Sequence, residues 1–172
     1  MSIFKLTAAA LLLTATAARS EGPGLGQPLE ASDIPFYATY VTPEGAGLPA
    51  GSGTAAQGAE IYAAKCATCH GATGSEGPVM PPVGPNDLWA KPAGSYWPYA
   101  TTLFDYIRRA MPLEAPKSLS DDEVYALAAF ILERNGVIDA ETAMTAETLP
   151  AVKMPNHGNF LDVWAKQGAK PW

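Results

Sequence analysis

The chain has 172 residues, is 48% hydrophobic and 16% charged, and carries a formal net charge of −6. These values fit one globular domain rather than a disordered chain. The acidic balance rules against a nucleic-acid-binding protein, and two cysteines are too few for a disulfide-built scaffold.

The N-terminus has the form of a secretory signal, with Lys5 ahead of an apolar, alanine-rich run from Leu6 to Ala18. That run is short for a membrane span. Small residues from Ala15 to Ser20 offer cleavage sites, so residues 1–20 read as a signal peptide and the mature chain as periplasmic, with no membrane span. An uncleaved anchor is the alternative. Cleavage after Ser20 would remove two cations and no acid, leaving the chain more acidic.

Residues 21–53 are rich in Gly and Pro, with turns at Gly22-Pro23-Gly24 and Gly45-Ala46-Gly47. They read as an extended strap whose Ile34, Phe36, Tyr37, Tyr40 and Val41 pack on the domain or on a partner. Thr54-Ala55-Ala56-Gln57 has the capping-box form and opens a helix with Gly58, Ile61 and Tyr62 on one face. A mid-helix glycine costs about 1 kcal/mol against alanine, so Gly58 implies close approach of another backbone.

That helix is expected to run into Cys66-Ala67-Thr68-Cys69-His70, with both thiols on its last turn. The C-x-x-C-H spacing is that of c-type haem attachment. Two thiols three residues apart can each add to one vinyl group of a porphyrin, and the following imidazole can bind iron. A disulfide across two residues closes almost no loop. A zinc site would have to join this cluster to His157, the only other histidine. A thioredoxin-like pair would need a βαβ pattern that is not visible.

The stretch from Gly71 to Pro85 is a Gly/Pro loop. A ligating histidine needs its second ring nitrogen satisfied, and the Pro78 carbonyl is the candidate partner. Trp89, Tyr96, Trp97 and Tyr99 follow. They are either plain core or haem lining, with Trp97 and Tyr99 favoured for the second role. A helix starting near Thr101 or Thr102 carries Leu103, Phe104 and Ile107 and ends at Arg108 and Arg109, which are either solvated or paired with a haem propionate.

Met111 precedes Pro112 and is therefore pushed out of helical geometry onto an extended loop, 41 residues past His70. It reads as the second iron ligand, because His/Met ligation is the usual electron-transfer arrangement. Met80, Met144 and Met154 are the weaker candidates. Ser120-Asp121-Asp122-Glu123 caps the last clear helix, striped by Val124, Leu127, Ala128 and Ile131, and Asn135-Gly136 stops it. Ala128 and Ala129 are the small residues expected to meet Gly58. Residues 139–172 read as a second strap, with a helical turn near 140–147, a surface turn at His157, and Phe160, Val163 and Trp164 as docking anchors.

Residues 54–136 resemble a class I cytochrome c: Gly58 and Tyr62, the Cys66–His70 pentapeptide, Gly77-Pro78, Met111-Pro112, and a terminal helix bearing Phe130. The resemblance implies an all-α fold in which the first and last helices cross beside a single covalent haem c. It also implies His70 and Met111 as axial ligands. The boundaries are then a signal peptide at 1–20, a strap at 21–53, a cytochrome domain at 54–138 and a strap at 139–172. A narrower resemblance rests on three stretches: Gly47 to Gly53, Gly94 to Tyr106 and Leu149 to Asn156. It is to the cytochrome subunits of periplasmic sulfite and sulfane dehydrogenases of sulfur-oxidising bacteria. There a molybdenum subunit is the electron donor, and a downstream cytochrome or oxidase is the acceptor. Some members carry two haem domains, whereas this chain has one attachment motif. The rival class is a five-coordinate haem enzyme or sensor, in which Met111 does not bind iron.

Overall fold

Ser120 and Glu123 close a reciprocal capping box: the Ser120 N–H donates to Glu123 Oε2 (2.8 Å) and the Glu123 N–H to Ser120 Oγ (3.3 Å). With three acids in its first turn, this start favours the helix dipole. The helix it opens runs Asp121–Arg134, and every residue from Val124 to Leu132 is buried. A helix apolar on all sides must be covered on all sides, so the fold is arranged around it. It stops in a Schellman geometry at Gly136 (φ +68°), with Val137 N–H donating to the Leu132 carbonyl and Gly136 N–H to that of Glu133.

The computed structural model describes residues 26–37, 39–85 and 89–161. The expected signal peptide, Val163 and Trp164 lie outside them. In chain order the helices are α1 (Ile34–Tyr37), α2 (Ala55–Lys65), α3 (Ala67–His70), α4 (Ala93–Tyr96), α5 (Ala100–Ala110) and α6 (Asp121–Arg134). Two short strands, β1 (Ser52–Gly53) and β2 (Met144–Thr145), and a 3₁₀ turn at Leu149–Ala151 complete them. The fold is mostly helical with little strand, as expected of a class I cytochrome c. Residues 26–37 form a unit of their own, in which Ile34 and Tyr37 are exposed. Its turn is closed by Asp33 N–H donating to the Glu30 carbonyl (2.9 Å).

α2 carries the expected capping box, Thr54 N–H to Gln57 Oε1 (2.9 Å) and Gln57 N–H to Thr54 Oγ1 (3.4 Å). It buries Ala55, Gly58 and Tyr62 against α6. A Cβ on Gly58 would collide with the Ala126 carbonyl and sit 2.6 Å from Phe130 Cβ. The close crossing is therefore real, but Ala126, not Ala128 or Ala129, makes it. Tyr62 and Phe130 pack ring to ring just beyond (4.9 Å), and on the other side of α6 Tyr125 meets Phe104 of α5 (4.5 Å). α5 begins at Ala100, one residue ahead of the expected start, directly after the extended Tyr99.

Helix side chains hold the segment before α2. Asp105 accepts from Val41 N–H (3.1 Å), Tyr125 Oη donates to the Pro49 carbonyl (2.8 Å), and Asp122 accepts from Ser52 N–H (2.8 Å). β1 pairs antiparallel with β2, Ser52 opposite Thr145 and Gly53 opposite Met144. The segment after α6 is more than a strap up to residue 156: Met144, Leu149 and Met154 are buried core residues. The helical turn expected at 140–147 is this β2 pairing instead, because the exposed N–H and C=O groups of β1 offer a ladder.

Candidate functional site

α2 ends at Lys65, and Cys66 (φ −124°, ψ −34°) is the junction between it and the single turn α3. The Cys66 carbonyl accepts from both Cys69 N–H (3.1 Å) and His70 N–H (3.0 Å). The thiols are thus split: Cys66 sits at the end of α2 and Cys69 on its own turn, rather than both on the last turn of one helix. Gly71 (φ +85°) ends that turn. Both cysteines are free.

Cys66, Cys69 and His70 line a cavity of about 390 Å³, within the size range of cofactor pockets. Leu127 and Ile131 of α6, Leu103, Tyr106 and Ile107 of α5, and Trp97, Met111, Pro112 and Leu113 complete the walls. The cavity brings together residues separated by more than sixty positions in the chain. Burial pushes the Cys66 thiol up to about 11, partly offset by Lys65, and the Tyr62 phenol up to about 12. Tyr62 Oη is the one buried side-chain polar atom among the described residues that lacks a hydrogen-bond partner.

His70 Nδ1 lies 2.9 Å from the carbonyl oxygen of Met80. A carbonyl only accepts, so Nδ1 carries the proton and Nε2 keeps a free lone pair for a metal. The partner is Met80, not Pro78. Gly77 N–H donates to the His70 carbonyl (3.2 Å), and a Cβ on Gly77 would strike the backbone of Cys69 and His70. The loop therefore lies flat on the histidine and presents its carbonyl two residues after Pro78. No side-chain pattern marks a backbone carbonyl.

Met111 caps α5 in extended geometry (φ −119°, ψ 148°), its N–H donating to the Ile107 carbonyl (3.0 Å), and it lines the cavity. Met144 and Met154 are core residues, 1% and 4% exposed, and do not line it. Trp97 lines the cavity and packs edge-on against Tyr106 (5.3 Å). Tyr99 does not line it; its ring meets His157 (5.3 Å), whose Nδ1 faces the Pro98 carbonyl (3.3 Å). Trp89 is 96% exposed, so neither sequence reading of that residue holds.

The arginines are engaged elsewhere. Arg108 pairs with Asp121 (2.8 Å) and Arg109 Nε with Asp105 (3.0 Å). Neither lines the cavity. Lys65 does line it and pairs with Glu123 (2.6 Å). Tyr106, Leu127 and Ile131 are lining residues that the sequence does not mark: the i, i+4 spacing of Leu127 and Ile131 signals an apolar face but not what the face meets.

Two thiols, an imidazole with its outer nitrogen free, a thioether and otherwise mainly apolar walls suit a large flat apolar group held covalently. The residues present fit a c-type haem.

Residues 53–131 match the family model described as cytochrome c oxidase, cbb3-type, subunit III. The chain is 35% identical over 88 residues to a thiosulfate dehydrogenase of Stutzerimonas stutzeri, covering 48% of this chain and 28% of that protein. It is 31% identical over 121 residues to a thiosulfate dehydrogenase of Allochromatium vinosum, covering 66% of this chain and 40% of that protein. The chain thus spans less than half the length of these curated relatives. A chain of the sulfane dehydrogenase SoxCD from Paracoccus pantotrophus superposes with a TM-score of 0.72 at 34% identity, over 88% of this chain and 80% of that one. With that much of a solved relative reproduced, and the family match lying on the helices that wall the cavity, the chain belongs to the c-type cytochromes.

Proposed function

We propose that the chain is a one-electron carrier holding a single haem c, exported to the periplasm, and that it serves as the haem subunit of a molybdenum sulfite or sulfane dehydrogenase. The observation that carries this reading is the convergence of Cys66, Cys69, His70 and Met111 on one apolar cavity. In that reading the thiols anchor the ring as thioethers. His70 would hold iron through its Nε2 lone pair while the Met80 carbonyl fixes its tautomer, and Met111 would hold it through its thioether. Bound there, haem c supplies an Fe(III)/Fe(II) couple whose potential a methionine ligand raises. The walls keep water out, and Val79, Met80, Tyr106 and Leu113, each more than two-fifths exposed, form the rim at which a partner would meet it.

With His70 and Met111 both holding the iron, no coordination site would be left for a substrate, and the chain itself would be non-catalytic. Among the described residues no helix is long and apolar enough to cross a membrane, which is compatible with a periplasmic subunit. The signal-like N-terminus supports export. The greater coverage of the SoxCD chain than of the thiosulfate dehydrogenases supports the sulfane-type partner, with a cytochrome or oxidase downstream.

Two measurements test this. The oxidised holoprotein should show a weak near-infrared sulfur-to-iron band that disappears in Met111→Ala. A spectrum without that band in the unaltered protein would refute Met111 ligation and favour the five-coordinate rival. Native material should co-elute with a molybdenum protein; elution alone, free of molybdenum, would leave a free shuttle.

A further inference from the structure

The carbonyl that orients His70 stands in a segment poor in backbone anchors. Pro78, Pro81, Pro82 and Pro85 bring no N–H, and among the described residues from 77 to 85 backbone donates to backbone at Gly77 and Val83, to the His70 and Gly74 carbonyls (3.2 and 3.1 Å). The rest of its fixation comes from the far end of α6. Half-buried Asn135 spends its whole side chain there: Nδ2 donates to the Pro82 carbonyl (3.1 Å) and to that of Ile131 (2.7 Å), and Oδ1 accepts from Gly84 N–H (3.0 Å). Gly94 leaves room for it, since a Cβ there would strike Asn135 Nδ2, and Gly94 N–H reinforces the grip on Pro82 (3.0 Å). Buried Ser95 closes the clamp, its Oγ donating to the Gly84 carbonyl (2.8 Å).

We propose that Asn135 is a positioning residue for His70: by clamping Pro82 and Gly84 it holds the Met80 carbonyl on His70 Nδ1, and so sets the electron donation of the imidazole and the reduction potential of the site. Asn135 touches neither His70 nor the cavity and acts only through the loop. A firm Nδ1–H···O=C bond makes the ring a stronger donor, which favours oxidised iron. A loosened one makes it a weaker donor, and the potential rises. The proposal rests on His70 being the iron ligand.

The test uses full-chain holoprotein. Asn135→Asp keeps the acceptor for Gly84 but turns oxygen toward the Pro82 and Ile131 carbonyls. Ser95→Ala removes the second jaw and is the milder lesion. Gly136→Ala strains the same helix end at φ +68° with nothing within 4 Å of the added Cβ, so it reports loss of stability alone. The readouts are the midpoint potential by spectroelectrochemistry and solvent exchange of the His70 Nδ1 proton by NMR in the reduced protein. Asn135→Asp should raise the potential and speed that exchange on the order of tenfold, the equivalent of one weakened hydrogen bond. Ser95→Ala should move both the same way by less, and Gly136→Ala neither. Unchanged values in the Asn135 and Ser95 variants overturn the proposal, as does an equal shift in Gly136→Ala. If Asn135→Asp fails to fold, Ser95→Ala decides alone. A wild-type spectrum lacking a histidine-ligated haem would instead sink the underlying reading.

Discussion

Gly58→Ala tests the helix crossing on which the cavity depends. In an isolated helix the change should stabilise, because alanine is about 1 kcal/mol better than glycine. Here the new Cβ would fall on the Ala126 carbonyl, with Phe130 Cβ at 2.6 Å, and it needs roughly another 1 Å to reach ordinary contact. The main obstacle is backbone, so no rotamer change relieves it and the helices must part. Overpacking of this kind costs about 1–3 kcal/mol. An immovable neighbour places it near the top of that range, and the propensity gain leaves a net loss of about 2 kcal/mol. For a domain of this size that lowers the melting midpoint by roughly 6–10 °C. The assay is thermal unfolding of purified holoprotein by far-ultraviolet circular dichroism, with Ala63→Gly on the exposed face of α2 as the companion. That change should cost only about 1 kcal/mol from propensity. A Gly58→Ala protein melting at or above wild type would refute the crossing, since propensity alone would then have decided the sign.

Three further outcomes are expected. The Glu76 carboxyl is held down at about 2, against an ordinary value near 4.5, chiefly by the Thr73 hydroxyl and then by backbone N–H groups. Its hold on the 73–76 turn is therefore complete above about 4.5 and drains as pH falls toward about 2. Amide protection at Thr73 and Ser75 should decline across that window and be flat in Glu76→Gln. Tyr125→Phe removes the hydrogen bond to the Pro49 carbonyl and should cost about 1 kcal/mol in chemical denaturation, with faster proteolysis between residues 41 and 53; unchanged proteolysis would show that the segment is held by other means. The Lys65–Glu123 pair is partly exposed on both sides, so its coupling in a double-mutant cycle should be about 0.2–1 kcal/mol and vanish in high salt.

The features legible in the sequence are those written in side chains at short range. Both capping boxes, the Asn135-Gly136 stop and the extended Met111 each follow from a few neighbouring residues, and each stands as expected. What escaped was set by distant partners. Arg108 and Arg109 read as either solvated or paired with a propionate, whereas Asp121 and Asp105 are their partners. Tyr99 reads as a cavity residue from its place beside Trp97, yet it faces His157 of the C-terminal segment. The carbonyl on His70 Nδ1 belongs to Met80 because Gly77 flattens the loop, and a backbone acceptor has no letter of its own. Ala126 meets Gly58 because α6 is apolar on every face, so its sequence leaves open which face α2 takes.

The small ladder of Ser52–Gly53 with Met144–Thr145 bears on how such a module can be inherited. The stretch matched to the family model ends at residue 131, whereas the second strand of the clasp and the apolar side chains of Met144, Leu149 and Met154 lie beyond it. A cut after Gly136 would strip β1 of its partner and open α6 to solvent. The piece that can be moved intact between longer polypeptides therefore begins near Val41 and closes near Asn156, and any relative that lacks either flank must seal the same seam with other residues.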